Sequence, residues 1–158
     1  MARVKRARGA AAPAIGIRRV RERDLPEVVA IDATVTGLEK RPYWRSVYRR
    51  YGTGASTGRT FLVADAGGRV VGFVIGEVRD WEFGSPPCGW VFGIDVRPDH
   101  RQGGVGTQLL EAICAQFRKA GVRKVRTLLS RDNILILSFF RSQGMRASPI
   151  IPLELDLG

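Results

Sequence analysis

The sequence predicts an α/β domain on a mixed sheet, mostly antiparallel and in part parallel. Three observations predict it. Apolar runs of strand length are interleaved with helical periodicities. Residues 60–64 and 70–78 read as strands joined at Gly67-Gly68, a tight hairpin signal. An apolar run ending at Val96 enters a glycine-rich turn, and an amphipathic helix pattern leaves it.

The elements follow in order. Residues 15–20 form a first strand. Asp24-Leu25-Pro26-Glu27 starts a helix: Asp24 can cap, Pro26 suits the first turn and Glu27 sits three after the cap. Leu25, Val28, Val29 and Ile31 give it an apolar face. Trp44, Val47, Tyr48 and Tyr51 fall at helical spacing over 42–51. Core packing explains that stripe best. Residues 52–58 form a small loop, and 80–87 a polar, Pro/Gly-rich connection. Cys88–Val96 is the fourth strand. The helix over 104–120 buries Val105, Leu109, Leu110, Ile113 and Phe117, and Gly121 ends it. Residues 125–129 make a fifth strand. The dense apolar run 133–143 is a helix, because Asp132-Asn133 caps it and Gly144 stops it. Residues 150–157 close the sheet. No internal repeat is visible, and residues 15–158 read as a single domain.

Composition bounds the function. The chain has 158 residues and 44% hydrophobic content, suited to one core. No apolar run approaches the roughly 20 residues that cross a membrane. Cys88 and Cys114 show neither metal spacing nor a disulfide pattern, so they read as buried hydrophobes in a reducing cytoplasm, and no metal is expected. Residues 1–23 carry +7 of the net +11. Residues 1–14 read as a disordered basic tail. A transit peptide would contain serine, and a nucleic-acid arm would interleave aromatics, so nucleic acid is not an expected partner. With 22 arginines against four lysines, the tail reflects a GC-rich bacterial coding bias.

The chemistry concentrates at Val96-Arg97-Pro98 and the following Arg101-Gln102-Gly103-Gly104-Val105-Gly106-Thr107. N–H groups at a helix start bind phosphate, glycines let an anion approach closely, and Arg101 adds charge. A Walker loop would need Gly-Lys-Ser/Thr, and a dinucleotide fingerprint a third glycine and a later acid; neither is present. Arg101-x-x-Gly104-x-Gly106 after Val96-x-Pro98 resembles the acetyl-CoA-binding turn of the GNAT superfamily of N-acetyltransferases. Asn133 and then Phe139-Phe140-x-x-x-Gly144-Met145 follow in that family's order and spacing. The likeness spans about residues 15–158. It implies a three-layer fold with about six or seven strands and about four helices.

The resemblance implies acetyl-CoA as co-substrate. The pyrophosphate would lie on the N–H groups of Gln102, Gly103, Gly104, Val105, Gly106 and Thr107, beside Arg101. The pantetheine arm would pair like an added strand with the backbone of Ile94 and Val96, one of whose N–H groups would polarise the thioester. Asn133 would face the same arm. The acceptor would be a small amine, or a peptide or protein amino group; a homodimer is an expectation because dimers are frequent among such proteins.

An amine with a pKa of about 10.4 is almost wholly protonated at neutral pH, so a base or desolvation is needed. Asp95, Glu82, Asp80 and Glu77 are the candidate bases. Asp95 alternates with Ile94 and Val96, which leaves its face undecided. Glu77, in an apolar strand, is either a paired acid or a base of raised pKa. His100 reads as a surface or phosphate neighbour. Phe140 stands where the family often has a tyrosine acid for the leaving sulfur, so it can pack but not donate a proton. A thiol of pKa about 8.5 still leaves tolerably as an anion. That departure motivates the alternative of a catalytically weak CoA-binding sensor or scaffold. A ping-pong route through Cys88 explains less than direct attack.

Overall fold

Glycine at positive φ makes the tightest connection in the chain. Gly67 and Gly68 (φ 63° and 94°) turn β2 (Arg59–Ala66) back into β3 (Arg69–Arg79), and the Asp65 carboxylate accepts the Gly68 N–H at 2.6 Å. The computed structural model describes residues 11–158, which divide into one compact unit running to Thr127 and a second, Leu128–Gly158. The basic-tail expectation falls mainly on residues outside the described ones.

The first unit holds a five-stranded sheet in the order β1-β2-β3-β4-β5, with β1 at Ile15–Arg19, β4 at Cys88–Val96 and β5 at Val125–Thr127. The first three pairings are antiparallel and β4–β5 is parallel. This is the mixed α/β sheet expected, with fewer strands. Residues 150–157 form no strand. Ile151, Leu153, Leu155 and Leu157 alternate with polar or proline positions, but all four are exposed. Alternation supplies a face for a strand and no partner for its backbone, and without a ladder the segment stays irregular.

Two layers cover the sheet. On one face lie α1 (Leu25–Thr36) and α2 (Arg41–Val47), the latter running into a π turn at Tyr48–Gly52. Val28, Val29, Ile31, Trp44 and Val47 pack there with Phe61, Val63, Phe73 and Ile75. Trp44 stands edge-on to Phe73 at 5.0 Å, and its indole N–H donates to buried Asp32 at 2.9 Å, so the aromatic stripe is core. Each fully buried aliphatic or phenyl side chain contributes about 1.5–3 kcal/mol.

The other face receives α3 (Val105–Lys119) on a trough of glycines. A Cβ at Gly72 would lie 3.1 Å from Leu109; one at Gly76 would lie 2.9 Å from both Ile113 and Phe117; one at Gly89 would lie 2.5 Å from the Phe117 ring. Those missing methyls let the helix sink onto β3 and β4. It ends in a Schellman turn: Val122 N–H donates to Phe117 C=O, Gly121 N–H to Arg118 C=O, and Gly121 has φ 80°.

Asp24 does not cap α1 with its side chain. Arg18 on β1 outcompetes the helix end: its guanidinium donates to both Asp24 carboxylate oxygens (2.7 and 3.0 Å) and to Asp65 at 2.8 Å. Arg21 N–H adds a bond to Asp24 at 2.7 Å. Burial works to raise the Asp24 pKa, but the bonds from Arg18 and Arg21 outweigh it and hold the carboxyl below its ordinary value. In the second unit, α4 (Ile134–Ser142) closes with another Schellman turn, Met145 N–H to Phe140 C=O around Gly144.

The depressed carboxyl gives a pH signature. A folded pKa below the unfolded one contributes stability that is full above the unfolded value of about 3.9 and is lost as pH falls through the folded value. Asp24→Asn is expected to cost about 2 kcal/mol at neutral pH, the size of a hydrogen-bonded charged group. In thermal melts from pH 7 down to pH 2, the gap between wild type and variant should shrink towards the acid end.

Candidate active site

Pairing geometry decides which backbone groups of β4 are available. Arg97 N–H donates to Val71 C=O at 2.8 Å, and Asp95 pairs with Phe73. By antiparallel alternation, Ile94 and Val96 therefore turn their N–H and C=O groups away from β3. On that side β5 pairs only with Gly89, Trp90 and Val91. Among the described residues, no strand pairs with the edge of β4 beyond Val91.

A bulge makes this opening. Gly93 pairs with Ile75 and Val91 with Gly76, which leaves Phe92 as an extra residue on β4. Such an insertion bends its strand. The Thr127 hydroxyl donates to Val91 C=O at 2.8 Å where the parallel ladder stops. The half-exposed Phe92 ring stands edge-on to Tyr51 at 5.2 Å.

Asp95 lies on the face of Phe73, opposite α3, while Ile94 and Val96 share the α3 side. Its carboxylate nevertheless turns back to the open edge and accepts Val96 N–H at 2.8 Å. Arg101 closes the same end: its Nε donates to Val96 C=O at 3.0 Å, and its Nη2 is 3.6 Å from the Asp95 carboxylate. Both backbone groups of Val96 are thus engaged by side chains, whereas the ladder leaves the Ile94 edge facing outward. Burial pushes the Asp95 carboxyl up, with Asp32 adding to it; Val96 N–H and Arg101 pull the other way without cancelling it.

The turn below opens a helix start. After Pro98–His100, residues 101–104 are exposed, and Gly104 (φ 74°) leads α3 with no side-chain cap. A Cβ there would meet nothing within 4 Å, so positive φ and open space explain the glycine. Val105 is buried and anchors the first turn, where helix N–H groups and the positive end of the dipole emerge. Gly103, Gly106 and Thr107 flank this point, with Gln102 exposed before it. His100 sits 3.0 Å from Asp99.

The remaining acids sort by partner. Glu77 accepts the Tyr51 hydroxyl at 2.9 Å and Arg79 Nε at 3.2 Å, with Arg59 at 3.8 Å, so it is a paired acid. Burial first, then Glu77, raises the Tyr51 pKa and keeps its proton on the phenol. Glu82 is the outer partner of Arg79 at 3.6 Å, and Asp80 is exposed. The buried Cys88 thiol is pushed up by burial, which disfavours the thiolate a ping-pong route requires. In the second unit, the Asn133 side chain accepts Ile136 N–H at 3.2 Å as the cap of α4, and Phe140 is buried with its ring 5.2 Å from Phe139. Sequence reasoning missed the Tyr51 contacts with Glu77 and Phe92; the only signal of Tyr51 was helical spacing, which also describes core.

The architecture is that of the solved acetyltransferases that superpose on it. An aminoglycoside N-acetyltransferase AAC(6')-Iy in complex with CoA aligns with TM-score 0.80 at 19% identity, over 94% of this chain and 99% of that one. The AAC(6')-Ih enzyme of Acinetobacter baumannii aligns with TM-score 0.76 at 17% identity, over 92% and 100%. Residues 25–145 match the Acetyltransferase (GNAT) family, and the chain belongs to it. Among curated relatives, the L-2,4-diaminobutyric acid acetyltransferase of Nocardia farcinica is 34% identical over 87 residues, 55% of this chain and 44% of that protein. The mycothiol acetyltransferase of Saccharomonospora viridis is also 34% identical over 87 residues, 53% of this chain and 28% of that protein. The chain thus spans less than half the length of either. Among the described residues, no cluster could hold a metal ion, and no helix is long and apolar enough to cross a membrane.

Asp95 gives a prediction opposite in sign to that for Asp24. A carboxyl whose folded pKa is raised costs stability once pH exceeds the unfolded value, because folding then opposes its ionisation. An asparagine in its place would keep an acceptor for Val96 N–H without the charge. Asp95→Asn should raise Tm by about 2–4 °C at pH 7, the shift expected of about 1 kcal/mol at this length. The gain should fade below the ordinary carboxylate range.

Proposed function

We propose that this chain is an N-acetyltransferase that moves the acetyl group of acetyl-CoA to the primary amine of a small molecule by direct attack in a ternary complex. One observation carries the reading: the open edge of β4 beyond Phe92 ends at a glycine-led, uncapped helix N-terminus. An extended arm with a terminal diphosphate fits that pair of features, because an unpaired strand edge and a helix start offer the bonds such a molecule needs. Relatives named as acetyltransferases, one of them for an amino acid, support the choice of a small amine.

The co-substrate supplies an activated acetyl thioester. Gly104 lets the backbone approach the diphosphate, and the first-turn N–H groups of α3 hold it. Ile94 offers the N–H that polarises the carbonyl, since Val96 N–H is engaged by Asp95. Arg101 contributes from the end of β4 and orders the turn. The amine nitrogen attacks the carbonyl carbon, the C–N bond forms, and the C–S bond breaks to release the thiolate of CoA. The surplus amine proton passes to a base or water, for which Asp95 is the acid beside the open edge, ahead of Glu82, Asp80 and the tied Glu77. Phe140 and Asn133 belong to the second unit and act by packing and by capping rather than by proton transfer. The functional unit is residues 15–158, and the compartment is the bacterial cytoplasm.

The test follows thiol release from acetyl-CoA across an amine panel, with calorimetry for CoA binding. Wild type should bind CoA and release thiol with at least one amine. Gly104→Val should lose CoA binding while remaining folded by circular dichroism. Binding without release across the panel would instead favour a sensor, a reading that Phe140, lacking a hydroxyl, keeps open. Absence of binding would remove both.

A further inference from the structure

A second set of residues, on the face of the sheet opposite α3, carries charge that the acetyl-transfer reading does not use. Trp90 of β4 is buried, and two guanidinium groups lie near its ring. Arg79 of β3 lies 4.9 Å from its ring centroid and Arg126 of β5 lies 6.0 Å from it. The two arginines differ in what neutralises them. Arg79 has Glu77 at 3.2 Å and Glu82 at 3.6 Å. Among the described residues, no carboxylate forms an ion pair with Arg126. Its Nη1 donates to the Ser85 hydroxyl at 3.3 Å, and its Nε is buried without a hydrogen-bond partner.

Arg126 Nε is closed to solvent, so a ligand would meet the Nη end, and a partly buried guanidinium with no carboxylate partner is costly unless an anion does so. The surroundings deepen the imbalance. Arg126, Lys124 and Arg79 all act on the neighbouring Cys88 thiol, against Glu82 alone. Position along β4 matters as well. Trp90 and Phe92 are two residues apart, roughly 7 Å at strand rise. A small molecule with its amine at the bulge would therefore reach Trp90 with its other end.

We propose that the acceptor is a primary amine bearing a carboxylate, and that Arg126, braced on Trp90 and Ser85, is the residue that receives that carboxylate. The proposal rests on the acetyl-transfer reading and adds the substrate class. A guanidinium fork matches a carboxylate with two parallel N–H bonds, and the Trp90 face supports the plane of the pair. The same charges oppose a polycationic acceptor. The 80–87 connection that carries Ser85 also presents Trp81 and Phe83, both exposed at positive φ (50° and 48°).

The experiment uses matched acceptors with the full chain: β-alanine, γ-aminobutyrate and ε-aminocaproate, each beside its neutral carboxamide. With acetyl-CoA, at least one acid should exceed its amide about tenfold in kcat/KM, the scale of a charge-assisted bidentate contact. Arg126→Gln should erase that preference by raising KM for the acid while leaving the amide unchanged, and Arg126→Lys should restore part of it. Equal use of acid and amide, preference for polyamines, or an equal loss on both in Arg126→Gln would overturn the proposal. Ligand-observed NMR of the same acids, with and without CoA, reads the anion site apart from turnover. Binding that Arg126→Gln removes, with no thiol released by any amine, would sink the transferase reading and keep the anion site; no binding by any acid would sink the site itself.

Discussion

One inserted residue organises the functional half of this molecule. Phe92 has no counterpart on β3, and the strand that carries it leaves its parallel neighbour at that point. A sheet interior ordinarily consumes every backbone donor and acceptor. Here the last pairing of the sheet stops partway along β4, so polar backbone is left open beside the half-buried residues 93–95. Every feature assigned to the site is placed relative to that interruption: the Ile94 edge beyond it, the helix start at its far end, and Trp90 just before it.

Three carboxylates of the first unit behave differently because their partners differ. Asp24 is surrounded by donors and is held ionised. Asp95 sits among fewer donors and more burial, with Asp32 as a like charge, and its ionisation is disfavoured. Glu77 is tied between a phenol and two arginines. Residue type alone would have made these three equivalent. The distribution of arginine makes them distinct.

Much of the fold was legible from periodicity and punctuation. The Gly67-Gly68 hairpin, Cys88–Val96 and the helix stopped by Gly121 follow from local patterns that tertiary structure does not override. The glycine-led start of α3 was equally local. What escaped was non-local. The alternation of residues 150–157 describes a strand but cannot name a partner for it. Asp24 had the sequence context of a cap, yet a guanidinium from β1 claimed it. The face of Asp95 depended on a bulge that no pattern marks. Tyr51 reads as one more core aromatic until Glu77, 26 residues away, is found beneath its hydroxyl.

The glycine trough under α3 has a consequence for how such a domain can change. Because Leu109, Ile113 and Phe117 rest where three side chains are missing, the donor side of the sheet is fixed by steric contact at van der Waals range. On the opposite side the core under α1 and α2 is equally tight, and only the end of β3 and the β4 bulge carry less buried groups, Glu77, Arg79 and Phe92. Altering those few groups need not disturb the α3 contact, so under the reading proposed above the acceptor could change while the helix start at Gly104 stays in register.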